Sequence, residues 1–474
     1  MAGMKKLMII GGGAAGLAAA VAATDALRAH GVRVGADGGA DAVEVTVCEA
    51  DERVGRSILA TGNGRCNFSN VRVDAGLYRN AEFVGAALAQ LRAQGGHADG
   101  CEEPGRKKAV RSTDAALPAD AVCPDPVHAF FAGLGLVWRE EGEGRLYPLA
   151  NKAASVLDVL RAGARDAGAR ELCGCEAVRI DPPSHAGDRF HVRFAGGVVR
   201  HAEAVIVATG GRTARGLLPE GFEATEPRPV LGPLRTDSRL VKALNNIRVR
   251  CAISLMSPDG DAKAREEGEV LFRDYGVSGI AVFNLSRFAE AGDMLRIDLL
   301  PRMDAPMLEQ LLLERRSRLF ARAGSCTGDD VLRGMVLPAV GRGVLKAAGL
   351  RAEGPFGKRD AAPLAAALKG LALEVRGVGE PRQCQVRRGG FAVEAFDPRS
   401  CASRTMPGLH VVGEALDVDA PCGGYNLHWA WASGMLAGRA AAEGPGKGAG
   451  GHFCPVRCFP EKEQKKGLFC PTRI

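Results

Sequence analysis

Leu7-Met-Ile-Ile-Gly-Gly-Gly-Ala-Ala-Gly16 decides how this 474-residue chain is read. An apolar strand runs straight into Gly11-x-Gly13-x-x-Gly16, and the small residues from Leu17 to Ala23 form the start of a helix. The spacing has a physical purpose. Gly11 allows a sharp turn, Gly13 lets a pyrophosphate approach the backbone, and Gly16 lets the helix pack close to the strand. The free amides at the helix start, around Ala14 and Ala15, attract the anion. Such a dinucleotide cradle also calls for an acid closing the second strand, where it bonds the adenosine ribose. Glu49 ends Val43-Glu-Val-Thr-Val-Cys-Glu49, and the glycine-rich loop of residues 35–41 accounts for its unusually long spacing from Gly11.

Composition narrows the possibilities. Lys5 and Lys6 precede seventeen uncharged residues, which could be mistaken for an export signal. Four glycines interrupt that stretch and it is too short for a comfortable span, so a soluble cytoplasmic protein with no membrane partner is expected. The net charge is +7, and residues 444–474, with six Lys/Arg against two Glu, carry +4 of it. No dense basic stripe interleaved with aromatics is present, so no nucleic-acid partner is expected. The fourteen cysteines are dispersed and include no Cys-x-x-Cys, which argues for reduced thiols and against a disulfide shuttle. Cys173-Gly-Cys175 reads as part of a strand. His452, Cys454, Cys458 and Cys470 match no common zinc spacing, so no metal is expected.

Along the chain, one fold is interrupted by another. Residues 1–211 open a nucleotide-binding domain with a polar surface insertion at 93–126. They include a helix over 152–167, paired strands at 176–180 and 190–194, and a buried strand, Ala204-Val-Ile-Val-Ala-Thr-Gly-Gly211. Residues 212–384 read as an inserted β-rich domain with a helical segment at about 303–370, and residues 385–443 return to the first domain. In that return, Gly423-Gly-Tyr-Asn-Leu-His-Trp-Ala-Trp-Ala-Ser-Gly434 is a glycine turn opening a helix, whose start would aim amides at a developing negative charge. Residues 444–474 read as a flexible basic tail. No second Gly-x-Gly-x-x-Gly follows a strand, so a dedicated NAD(P)H domain is absent. Reduced nicotinamide would dock transiently, or oxygen or a quinone-like acceptor would take its place.

Three longer motifs carry a resemblance. Gly55-Arg-Ser-Ile-Leu-Ala-Thr-Gly-Asn-Gly-Arg-Cys-Asn-Phe-Ser-Asn70, Gly268-Glu-Val-Leu-Phe-Arg-Asp-Tyr-Gly-Val-Ser-Gly279 and Gly413-Glu-Ala-Leu-Asp-Val-Asp-Ala-Pro-Cys-Gly-Gly-Tyr-Asn-Leu427 are similar to those of the BaiN/HI0933-like family of FAD-binding oxidoreductases. The resemblance spans most of residues 5–443. It implies an α/β fold: a discontinuous, glutathione-reductase-type, Rossmann-like FAD domain with an inserted β-barrel-like and helical domain. It also implies an FAD-dependent oxidoreductase, of oxidase or enone-reductase type, that transfers hydride at flavin N5 to or from a small organic substrate. Recorded activities in the family include oxidation of aminoacetone and reduction of unsaturated bile-acid intermediates. A tRNA-modifying type of flavoprotein and a non-catalytic flavin binder are the alternatives. Oligomeric state is left open.

Carried over residue by residue, Gly11, Gly13 and Gly16 resemble the pyrophosphate loop and Glu49 the ribose acid. Arg56 with Thr61, Gly62, Asn63, Gly64, Arg65, Cys66 and Asn67 resembles the loop beside the flavin. Ala208, Thr209 and Gly210 resemble the dinucleotide-side strand end, and Gly413, Glu414 and Asp417 the ribityl and phosphate contacts. Gly424, Tyr425, Asn426 and Leu427 resemble the turn under the flavin N1/O2 edge, and Val178 a backbone contact to adenine. The chain departs from the family pattern at Asp274 (commonly His), Ile280 (commonly Pro), Ala420 (commonly Gly) and His428 (commonly Gln). His428 is either a proton donor or a packed histidine beside Trp429 and Trp431. Cys66 lies near the flavin or is an inert thiol, and Tyr275 is a pocket wall or a structural hydrogen-bonder.

Overall fold

The computed structural model describes residues 5–35, 42–95, 125–185, 187–212 and 216–444. The cysteines and histidine of the tail, and residues 96–124 of the polar insertion, lie outside them.

The opening strand β1 (Lys6–Ile10) is buried from Leu7 onward, as expected of a strand covered on both faces. It pairs in parallel with Ala42–Cys48 on one side and Ala204–Val207 on the other, and Ala204–Val207 pairs in parallel with Leu409–Val411. Strands from the first and last parts of the chain therefore share one sheet, which antiparallel Ala402–Ser403 and Phe396–Asp397 extend. Helix α1 (Ala14–Ala29) and the closing helix Tyr425–Glu443 pack against each other with their backbones nearly touching. A Cβ on Gly434 would stand 2.3 Å from the Ala15 carbonyl oxygen, and one on Gly438 2.4 Å from that of Ala19. This close crossing brings the starts of both helices to the same end of the sheet.

The chain leaves this core along Ala224–Val230 and returns along Val386–Phe391, an antiparallel ribbon. Between them, six strands close a barrel in the order Leu234–Thr236, Gly276–Ser278, Ala262–Arg273, Arg248–Met256, Met294–Asp298, Leu371–Val378. Helices Ala305–Ala323, Pro338–Ala347 and Ala361–Lys369 cover it, and Leu308, Leu312, Val344 and Leu364 join the barrel's Ile253, Phe272 and Leu295 in a second hydrophobic core.

Two sequence expectations need correction. The insertion read as 93–126 is narrower, because helix Ala81–Gly95 runs into it and helix Pro126–Gly133 begins at its far end, capped by Asp125. Cys173-Gly-Cys175 is not strand. The strand stops at Leu172, since Gly174 takes a φ of +69° that an extended ladder cannot continue, and the Gly174 and Cys175 amides donate instead to Asp51 and Glu49 carbonyls. Among the described residues, no helix is long and apolar enough to cross a membrane.

Candidate functional site

Two glycine-capped helix starts define the site. At the first, Gly11 has φ +105° and donates its N–H to Cys48 O at 2.7 Å; a Cβ there would sit 2.4 Å from Ala208 O. A Cβ on Gly16 would collide with Gly11 O at 1.9 Å. Gly13 is the N-cap of α1 and supplies no side-chain hydrogen bond, so the first-turn amides remain available for an anion. Glu49 is fixed beside them, its carboxylate accepting from Gly12 N–H at 2.7 Å and Asp51 N–H at 2.9 Å.

At the second, Gly424 (φ +95°) caps the closing helix, again without a side-chain hydrogen bond. A Cβ on it would meet Ser69 O at 2.4 Å and Asn67 Oδ1 at 2.9 Å. Asn67 Oδ1 is itself buried with no hydrogen-bond partner. An orphaned buried acceptor beside an uncapped helix start is costly unless a ligand supplies the donor. The loop before the helix is held by Asn426, which bonds Ala420 N–H at 2.9 Å and Ala420 O at 2.8 Å. The Tyr425 carbonyl takes Tyr78 OH at 2.9 Å, and Leu427 packs on the core.

The other predicted residues fall into three groups. Ala208 N–H donates to Ile10 O at 2.8 Å, which sets the strand end carrying Thr209 and Gly210 beside the first cradle; Gly210 in turn lies next to the Glu414 carboxylate. Glu414 also accepts from Arg387 N–H, and burial pushes its pKa up to about 6. Gly413, packed on Ala15, donates to Ser433 Oγ at 2.9 Å and accepts from Trp429 Nε1 at 3.1 Å. The loop at 61–67 is tightly wound, with Gly62, Asn63, Gly64 and Cys66 all at positive φ. Thr61 Oγ1 donates to Ile58 O at 2.6 Å. Cys66 is fully enclosed, and burial pushes its thiol up to about 11, which leaves it protonated and inert.

The third group is tied up or set apart. Arg56 is exposed and paired with Asp51 at 2.6 Å. Arg65 is pinned by Glu141 and by Asn151 at 2.5 Å, with its guanidinium 4.3 Å over the Tyr147 ring. Both Asp417 carboxylate oxygens are taken by Arg79 Nε at 2.9 Å. Val178 is 45% exposed on the antiparallel sheet Ala177–Asp181, Phe190–Phe194, Val199–Ala202. Tyr275 stands in the barrel, where its carbonyl accepts from Thr236 N–H at 3.1 Å.

His428 belongs to a cluster that sequence reading missed. Ser69 Oγ lies 2.7 Å from His128 Nε2 and 2.8 Å from His428 Nδ1, while His428 Nε2 lies 3.7 Å from Asp125 Oδ2. Ser69 has one O–H, so it donates to one ring and accepts from the other. Nothing local in sequence marks His128 or Asp125 as partners of a residue some 300 positions away.

Burial, slightly opposed by Asp125, holds the His428 pKa down to about 4, and burial lowers His128 as well. The folded protein thus leaves His428 neutral where the unfolded chain would protonate it, so stability falls as pH drops from about 6.5 toward 4. The two pKa values bound this term at about 3 kcal/mol. Urea titrations across that range should show a shallower pH slope for His428→Gln than for the parent; equal slopes would remove His428 as the cause.

The family described as HI0933-like protein Rossmann domain matches residues 122–440. A 3-dehydro-bile acid delta(4,6)-reductase of Clostridium scindens is 30% identical over 463 residues, covering 93% of this chain and 100% of the relative. A ribosomal RNA dihydrouridine synthase of Escherichia coli is 26% identical over 449 residues, covering 90% of this chain and 95% of the relative. Among solved structures, a 3-ketosteroid-delta4-(5alpha)-dehydrogenase of Rhodococcus jostii aligns over 92% of this chain and 97% of its own, with 14% identity and a TM-score of 0.40.

Proposed function

The chain belongs to the HI0933-like family of FAD-binding flavoprotein oxidoreductases, and from that membership we propose that it reduces a carbon–carbon double bond conjugated to a carbonyl in a small organic molecule. The observation that carries the cofactor assignment is the pair of uncapped, glycine-started helices with Asn67 Oδ1 orphaned beside the second. The reaction type is supported by the two relatives' names. A 3-dehydro steroid acid with 4,6 unsaturation and a uridine both present C=C in conjugation with C=O, and both names denote saturation of that bond.

The residues divide the work. Gly11, Gly13 and Gly16 would hold the pyrophosphate on the α1 amides, with Glu49 on the adenosine ribose. The ends of the glutathione-reductase-type domain, at Gly210 and at Gly413 with Glu414, would flank the ribityl chain. The amides after Gly424 would face the flavin edge where negative charge accumulates, and Asn67 would accept a hydrogen bond from the ring system. Bound FAD would supply the hydride at N5, replenished by transiently docked NAD(P)H. Neutral His428, enclosed by Ser69 and Asp125, would hold the strand beneath the helix rather than donate the substrate proton.

A second reading, saturation of a uracil within RNA, is favoured by the synthase relative. One anaerobic experiment separates the possibilities. Dithionite-reduced holoprotein is mixed in turn with an α,β-unsaturated ketone and with a uridine-containing oligonucleotide, and oxidised holoprotein with aminoacetone. Return of the yellow colour with the enone is the expected result. Return only with RNA establishes the second reading, and bleaching by aminoacetone alone would establish an oxidase.

A further inference from the structure

Folding assembles a set of ligands that no spacing in the sequence announces. Asp125, His128 and His428 each offer one donor atom, and the three atoms lie within 4.8 Å of one another, the one such group among the described residues. The two histidines are only 3% and 1% exposed. Exposed acidic clusters are commonly just solvated, whereas two imidazoles and a carboxylate gathered in the interior carry a desolvation cost that something must offset.

The hydrogen bonds leave one edge of the group open. Asp125 uses Oδ1 to accept from the Val127 and His128 amides, at 2.9 and 3.3 Å, and so caps the helix Pro126–Gly133. His428 uses Nδ1 on Ser69 Oγ at 2.8 Å. The other two atoms, Asp125 Oδ2 and His428 Nε2, face each other at 3.7 Å, too long for a hydrogen bond. That separation is close to the spacing of two ligands on one tetrahedral metal ion, since bonds of about 2.1 Å place nitrogen and oxygen about 3.4 Å apart. His128 meets the same hydroxyl through Nε2 at 2.7 Å, its ring at 80° to that of His428 with centres 6.0 Å apart. Ser69 Oγ has two lone pairs, so it can accept an N–H from both rings at once, and each imidazole then has its other nitrogen unprotonated. For His428 that nitrogen is the one facing Asp125. A hydroxyl behind the ring is the outer support that metal-binding histidines use.

The charges separate the metals. Besides His128, Asp125 and the exposed Arg92 are the groups whose charge bears on His428. One carboxylate against one surface guanidinium leaves the group neutral before a cation enters, so affinity must come from ligand bonds rather than accumulated negative charge. Two imidazoles and one carboxylate suit a transition metal, and calcium and magnesium poorly. We propose that Asp125, His128 and His428 bind one zinc ion that fastens the start of helix Pro126–Gly133 to the first turn of the closing helix, one turn in from Gly424. The assignment does not rest on the proposed function.

Metal analysis of the full-length protein, stripped with chelator and then dialysed against zinc, tests it. Because the fourteen cysteines can also take zinc, the parent is compared with His428→Gln and with Asp125→Asn, which keeps a capping side chain. The parent should hold about one equivalent more than either variant, and Ser69→Ala, which keeps all three ligands, should weaken zinc about tenfold. Zinc should raise the melting temperature of the parent and not that of the variants. Cobalt in place of zinc should give visible bands that vanish in the variants and lack the near-ultraviolet charge-transfer bands of thiolate ligands, the metal-free spectrum being subtracted. The site is overturned if stripped parent binds neither metal, if parent and variants hold equal zinc, if the cobalt bands survive in the variants, or if zinc leaves the parent's melting temperature unchanged. Should His428→Gln fail to fold, Asp125→Asn decides alone. Colourless protein that still takes up this zinc would sink the flavin reading and leave the metal site standing.

Discussion

Gly13→Val should yield a folded protein that retains less than about a tenth of the parent's flavin, a loss of at least about 1.4 kcal/mol in binding. The position is chosen by geometry. Gly13 has an ordinary φ of −81°, and a Cβ there meets only Ser57 Oγ, at 3.2 Å, so the chain itself can absorb a side chain. Gly11 and Gly16 cannot serve, because a Cβ on either strikes backbone oxygen at 2.4 or 1.9 Å and would damage the fold along with the site. A branched side chain at Gly13 would occupy the space a pyrophosphate needs above the α1 amides. Far-ultraviolet circular dichroism should be unchanged while the ratio of released FAD to protein collapses. Parent-level flavin in the variant would show that α1 does not carry the phosphates.

Arg287→Leu should cost about 3 kcal/mol of stability, the largest loss among the single substitutions considered. Arg287 is 7% and Asp419 1% exposed, and the arginine also donates to the carbonyls of Asp419 and Leu77. It thereby ties the segment after the barrel helix Ile280–Ser286 to the loop that leads into the closing helix. Removing it leaves a carboxylate in the interior with only Arg388 at 3.6 Å to answer it. Because breaking a buried pair strands one charge whereas replacing both partners does not, Arg287→Leu with Asp419→Leu should recover much of the loss. Urea unfolding followed by tryptophan fluorescence reads both, since Trp138, Trp429 and Trp431 all lie in the sheet core rather than the barrel core. A loss below about 1 kcal/mol for the single variant would mean that the seam is held by other contacts.

The parts of the molecule that were legible in advance are those whose requirements are local. Glycines at 11, 16 and 424 mark backbone demands that no other residue meets, and apolar runs such as 204–207 declare a covered parallel strand by themselves. The stretches 250–255 and 268–272 alternate as strands do, but closure of six strands into a ring depends on pairings such as Leu234 with Val378, which no local pattern encodes. The same holds for side chains. Asp417 invites a ligand contact when read beside Gly413 and Glu414, yet its carboxylate belongs to Arg79, 338 residues earlier. His428 reads as a solitary imidazole until Ser69 and His128 are brought to it. Cys173-Gly-Cys175, read as part of a strand, misled for a local reason: the left-handed glycine between the cysteines does not continue the strand that stops at Leu172.

The most direct test of the account is the visible spectrum of the purified protein, followed by release and quantification of whatever absorbs. The proposed function calls for one FAD per chain, held by the opening and closing segments together, so the two bands of oxidised flavin should be present or should appear on adding FAD. A preparation that is folded, colourless and unable to take up added FAD would contradict it.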